Sequence, residues 1–163
     1  MNVITHTLLP TLLAVPLLPR ANPREYGVSA GVVALGGALP DLLHPHLSLA
    51  ARYASWSHTV FAFAGFSGVL LVLALLPRIR VPRVALVLAS LAYALRLACD
   101  GISGGIVWLY PASAEVVGGR LVRYHWWWPI DAILVVVALG VFWWWPAYRR
   151  NRAAPVARRE TFP

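Results

Sequence analysis

Residues 84–111 read VALVLASLAYALRLACDGISGGIVWLYP, and this stretch decides the fold class. From Val84 to Cys99 the only charge is Arg96, so the run approaches the roughly 20 apolar residues that a membrane helix needs. After Asp100 its character changes, because Gly101, Ser103, Gly104 and Gly105 interrupt it. The expectation is a helix from Val84 to about Cys99, then a broken or re-entrant piece that ends at Pro111. Irregular backbone at membrane depth survives only where protein or a watery cavity satisfies its polar groups.

The rest of the chain agrees with a bilayer setting. Its 163 residues are 60% hydrophobic and 12% charged, against about a quarter charged for a soluble domain. Mean hydropathy is +0.68. Four further apolar stretches, Val3–Leu18, Gly27–Leu43, His58–Leu76 and Pro129–Tyr148, give about five transmembrane helices in an all-α fold. Residues 1–148 form one transmembrane domain, and 149–163 form a basic tail. The first stretch is broken by Pro10 and Pro16 and has a signal peptide as its rival. No basic residue precedes it and no small-x-small site follows it, which favours a helix.

The net charge of +8 comes from 14 arginines, five of which (Arg149, Arg150, Arg152, Arg158, Arg159) lie in the tail. A basic cluster beside an apolar run is a topology signal and an anionic-lipid contact before it is a nucleic-acid site. With five crossings, ten arginines fall on one face and three (Arg52, Arg120, Arg123) on the other. The tail is therefore expected in the cytoplasm and the N-terminus outside. The triplets Trp126–Trp128 and Trp143–Trp145 are spaced by about 26 Å of helix, one for each interface.

A carboxylate at membrane depth is costly, which makes Asp41, Asp100 and Asp131 site candidates. On the five-crossing arrangement they share the arginine-poor face with His6, His44, His58 and His125. Asp41 and His44 are three apart and share a helix side if the helix holds as far as Pro45. Histidine and carboxylate from several helix ends form a ligand set that zinc, manganese or iron accepts. Each residue also has a plainer reading. Arg96 and Asp100, four apart, suit a buried ion pair as well as a ligand role. His6 and His125 read equally as interfacial residues, His46 as a loop residue, and Asp131 as a helix-start residue favourable to the dipole. Cys99 is alone, which excludes thiolate metal sites and an internal disulfide. No Gly-x-Ser-x-Gly elbow, P-loop or His-Glu-x-x-His helix occurs.

Four pieces in order carry a family resemblance: Thr5-His6, Gly37-Ala38-Leu39-Pro40-Asp41-Leu42-Leu43-His44, Ser57-His58-Thr59, and Asp100-Gly101 with Leu109-Tyr110-Pro111. Over residues 1–111 the chain resembles the YdjM-like membrane-bound metal-dependent hydrolases. The resemblance implies a helical inner-membrane protein with a His/Asp metal site, and a distant kinship to zinc-dependent phospholipases C and single-strand nucleases. Carried over by position, His6, Asp41, His44, His58 and Asp100 are the implied metal ligands. The chain departs from the family pattern at three places: Leu43 where many members have a second aspartate, Tyr53 and Ala54 where many have His-Arg, and Arg96 where a histidine often stands.

These readings combine into an expectation: a divalent-metal-dependent hydrolase, with zinc first and manganese or iron next, facing away from the cytoplasm. Its substrate would be a lipid or lipid-linked phosphoester, with no nucleic-acid partner. Asp41 or Asp100 is the expected base, and Arg96 or Arg52 the expected stabiliser of developing negative charge. Two alternatives stand beside it. One is a non-catalytic scaffold whose His/Asp set makes interhelical contacts; the other is a small transporter.

Overall fold

The structure is a computed structural model, and it describes residues 3–19, 22–45, 53, 55–119, 121–122 and 124–144. Arg52, His46, Ala54, Arg120, Arg123, Trp145 and the tail arginines lie outside the described residues.

The apolar runs become five helices, α1 (Val3–Ala14), α2 (Pro23–Leu43), α3 (Val60–Leu75), α4 (Arg83–Ile102) and α5 (Trp127–Leu139). Pro10 is accommodated inside α1, and Pro16 opens the 3-10 turn that follows it. Asn22 caps α2 by accepting from Arg24 N–H, with Pro23 at the first turn, where its missing donor costs nothing. Thr59 caps α3 in the same way through Ala62 N–H. The last helix, α5, gives way to a π-helical stretch over Gly140–Trp144, and residues 145–148 of the expected span lie outside the described residues. Among the described residues, strand pairing is limited to one bridge between Ile106 and Val117.

Helix α2 packs between α1 and α4, with α3 on the far flank of α4 and α5 against α1. The close approach to α2 depends on two adjacent glycines. A Cβ at Gly37 would lie 2.1 Å from the His6 carbonyl oxygen, and one at Gly36 would lie 2.4 Å from that of Ala89. Small residues at these crossings let backbones touch, as they do in membrane bundles. Tyr93 closes the α3–α4 seam, stacked on Phe66 at 5.1 Å and tilted against Phe63 at 5.9 Å.

The burial pattern is inverted relative to a soluble bundle. His6, Ser29, Ser57, His58, Arg96, Asp100 and Asp131 are buried, while Leu71, Leu75, Trp128 and Val136 are more than 60% exposed. Polar groups inside and large apolar groups outside suit apolar surroundings. Two helices, Pro23–Leu43 and Arg83–Ile102, are long and apolar enough to cross a membrane; the other three apolar helices are shorter.

Helix α4 runs past the expected stop near Cys99 to Ile102, and the irregular segment extends beyond Pro111 through the described residues 112–119 and 121–122. Several of its backbone groups are paired within the protein. Gly119 N–H returns to the Gly101 carbonyl and Leu121 N–H to that of Ile102, which serves the open end of α4. The return is tight at Gly118, where φ is +138° and a Cβ would lie 2.2 Å from Gly101 O. Elsewhere the segment presents the Trp108 carbonyl to Val60 N–H at the start of α3.

Candidate functional site

The start of α1, the end of α2, the turn before α3 and the end of α4 meet at one end of the bundle. Four elements thereby deliver five side chains to one buried cluster: His6, Asp41, His58, Arg96 and Asp100. Exposure is 9% for Asp41 and 2% or less for the other four.

Asp100 sits between the two imidazoles. Its Oδ1 is 3.6 Å from His6 Nε2, and its Oδ2 is 3.5 Å from His58 Nε2. His58 Nε2 also lies 3.4 Å from Asp41 Oδ1. These separations exceed the normal length of a hydrogen bond. They match the edge of a tetrahedron with metal–donor arms of about 2.0–2.1 Å, which is about 3.3–3.4 Å. Neither ring nitrogen of His6 has a hydrogen-bond partner among the described residues.

The guanidinium of Arg96 stands among these donors. Nη2 meets Asp41 Oδ1 at 2.5 Å and Nε meets Asp100 Oδ2 at 2.9 Å, the second pair one helical turn apart on α4. Nη2 also lies 3.3 Å from His58 Nε2. An arginine N–H only donates, so this contact makes Nε2 the acceptor and leaves the ring proton on Nδ1. That proton has a partner in Ser55 Oγ at 2.8 Å, with Ser57 Oγ at 3.2 Å.

The serines are themselves anchored, which fixes the ring. Ser57 Oγ donates to the Pro40 carbonyl at 2.7 Å, and Tyr93 OH donates to the Ser57 carbonyl at 2.5 Å. In the sequence, Ser57 stands out only as part of the Ser57-His58-Thr59 piece, and Ser55 and Tyr93 do not stand out. The available signals were two hydroxyls within three residues of His58 and a tyrosine three before Arg96 on the same helix face.

The other expected residues have their own settings. Helix α2 stops at Leu43, short of Pro45, and His44 is its half-buried C-cap with non-helical backbone. The spacing from Asp41 therefore no longer sets its direction. Asp131, near the start of α5, is 4% exposed and accepts from Thr5 Oγ1, tying α5 to α1. His125 is exposed and lies against Trp126, with ring centroids 5.7 Å apart. Tyr53, at one of the family departures, donates to the Gly104 carbonyl at 2.8 Å and ties the segment before α3 to the irregular one after α4.

The profile of the YdjM inner membrane protein family matches residues 1–158. The chain belongs to this family. No curated protein and no solved structure matches it. The match extends the likeness beyond Pro111, through α5 and into the tail, and places this YdjM-family protein among inner-membrane proteins. Its donor set, two imidazoles and two carboxylates at ligand-edge spacing, fits a divalent ion by chemistry. Among the described residues, however, no three His, Cys, Asp or Glu side chains are arranged to hold an ion by themselves. The donors approach in pairs, with Arg96 joined to both carboxylates.

Proposed function

We propose that this YdjM-family protein is a multi-pass inner-membrane hydrolase that uses one divalent metal ion, zinc before manganese or iron. Its substrate is a lipid or lipid-linked phosphoester at the extracytoplasmic face. The observation that carries this reading is His6, an imidazole 2% exposed whose ring nitrogens lack a hydrogen-bond partner among the described residues, beside the Asp100 carboxylate. Burying such a ring without a partner is costly, and a ligand role accounts for it.

His6 and Asp100 would hold the ion, with His58 and Asp41 within two donor spacings. A bound divalent ion supplies a Lewis acid toward a phosphoryl oxygen and a more acidic water. The chain's own groups would do the rest. Nη1 of Arg96 is buried with no acceptor among the described residues, so its N–H groups are available to a phosphoryl oxygen carrying negative charge. Asp41, with 11% of its side chain exposed, is the carboxylate best placed to take a proton from the attacking water. The arginine asymmetry of the loops supports an outward-facing site, and the inverted burial supports several crossings.

Zinc-loaded protein in mixed micelles is expected to release phosphate from short-chain phosphatidic acid or a polyprenyl phosphate. Chelation and His6→Ala should each abolish the release while the protein remains monodisperse. Folded wild-type protein that retains no metal and hydrolyses neither substrate would sink the reading. One observation favours a second reading, a non-catalytic membrane scaffold: Arg96 closes Asp41 and Asp100 with a cation of the chain itself. In that case His6→Ala would change stability, with no turnover to lose.

A further inference from the structure

Arg96 stands against the donor atoms that a metal would take. Its Nη2 is hydrogen-bonded to Asp41 Oδ1 at 2.5 Å and lies 3.3 Å from His58 Nε2, and its Nε lies 2.9 Å from Asp100 Oδ2 as an ion pair. The same three atoms lie 3.4 and 3.5 Å from one another along the His58–Asp41 and His58–Asp100 edges, a spacing that suits a small cation. Ser55 and Ser57 hold Nδ1 of His58, so the Nε2 lone pair faces the same point whichever cation is there.

Charge counts the same way. The guanidinium sits against both carboxylates, Asp41 and Asp100. A divalent ion placed beside it would meet a like charge in a buried site, where screening is weak. The contacts of Arg96 fall on Asp41, His58 and the Oδ2 side of Asp100, whereas His6 lies on the Oδ1 side.

We propose that the Arg96 guanidinium is the resident cation of this centre. It occupies the place among Asp41, His58 and Asp100 that a divalent ion would otherwise take, and so limits the site to one fewer metal ion. Arginine is suited to the role because its fixed positive charge and its fork engage two carboxylates at once. The inference rests on the metal-site reading for its ligand set, and its test separates the two.

The test is zinc content per chain by elemental mass spectrometry, after equilibrium dialysis of monodisperse wild type, Arg96→His, Arg96→Gln and Arg96→Lys against zinc. Arg96→His and Arg96→Gln should each hold about one more zinc per chain than wild type and gain thermal stability when zinc is added. Arg96→Lys keeps the charge and should match wild type. Equal content in wild type and Arg96→His overturns the proposal, as does an equal gain in Arg96→Lys. Failure of both neutralising variants to fold even in zinc-supplemented culture also overturns it, since a metal then cannot stand in for the guanidinium. Zinc-free wild type beside Arg96→His with one zinc would end the hydrolase reading and leave this inference standing.

Discussion

Thr5 bonds to Asp131 and His6 lies against Asp100, so two successive residues of α1 engage both α5 and α4. A hydrogen bond to a carboxylate contributes about 1.5–3 kcal/mol when buried. Thr5→Val should therefore destabilise the protein by about that amount and loosen the neighbouring His6. Denaturant-titrated unfolding in detergent micelles checks the first effect, and faster zinc loss to a chelator checks the second; no change in either would mean that α5 is held by other contacts. The candidates His6, Asp41, His58 and Asp100 were legible as residues because the cost of burying charge marks them on an apolar chain. Their pairings were not. Arg96 and Asp100, one turn apart, were readable as an ion pair; Arg96 and Asp41, 55 residues apart, were not. The Thr5–Asp131 bond was not legible either, because its partners lie 126 residues apart.

At the scale of elements, α2 is the thin partner on which its neighbours close. Gly37→Ala would put a Cβ 2.1 Å from the His6 carbonyl, backbone that cannot swing aside. The α1–α2 crossing must then open, at a cost of about 1–3 kcal/mol for overpacking, and His6 should move away from Asp100. Gly31→Ala, in the same helix with nothing within 4 Å of its Cβ, should be neutral or slightly stabilising. Thermal melting of the two variants in detergent compares them directly, and equal melting temperatures would remove the steric argument. The elements themselves were largely legible, since apolar length and proline or glycine punctuation are local properties. Where ends were misjudged the cause was tertiary. Helix α4 continues past Asp100 because Gly119 and Leu121 come back to bond its last carbonyls. In contrast, α2 ends before Pro45, since the residue ahead of a proline is disfavoured in helix.

For the whole molecule, the polar cluster and the irregular 103–119 segment lie at one end of the bundle, and the loop with Arg78 and Arg80 lies at the other. Loop arginines are retained in the cytoplasm, so the cluster end should face outward. A membrane-impermeant maleimide should label Ala112→Cys in intact cells and Ile79→Cys only after permeabilisation, both in a Cys99→Ala background. The reverse pattern would place the cluster on the cytoplasmic side and redirect the search for a substrate to the inner leaflet.

By itself the amino-acid sequence determined an all-helical chain suited to a bilayer, and it picked out the few charged residues whose burial demands a reason. Both follow from composition and from spacing along the chain, which need no knowledge of how helices cross. Tertiary structure alone decided that Arg96 takes Asp41 and Asp100 together, that Ser55 and Ser57 turn the His58 ring, and that Asp131 belongs to Thr5. Those choices depend on the rotation and separation of helices, set here by Gly36 and Gly37, and a displacement of about one ångström would exchange one partner for another.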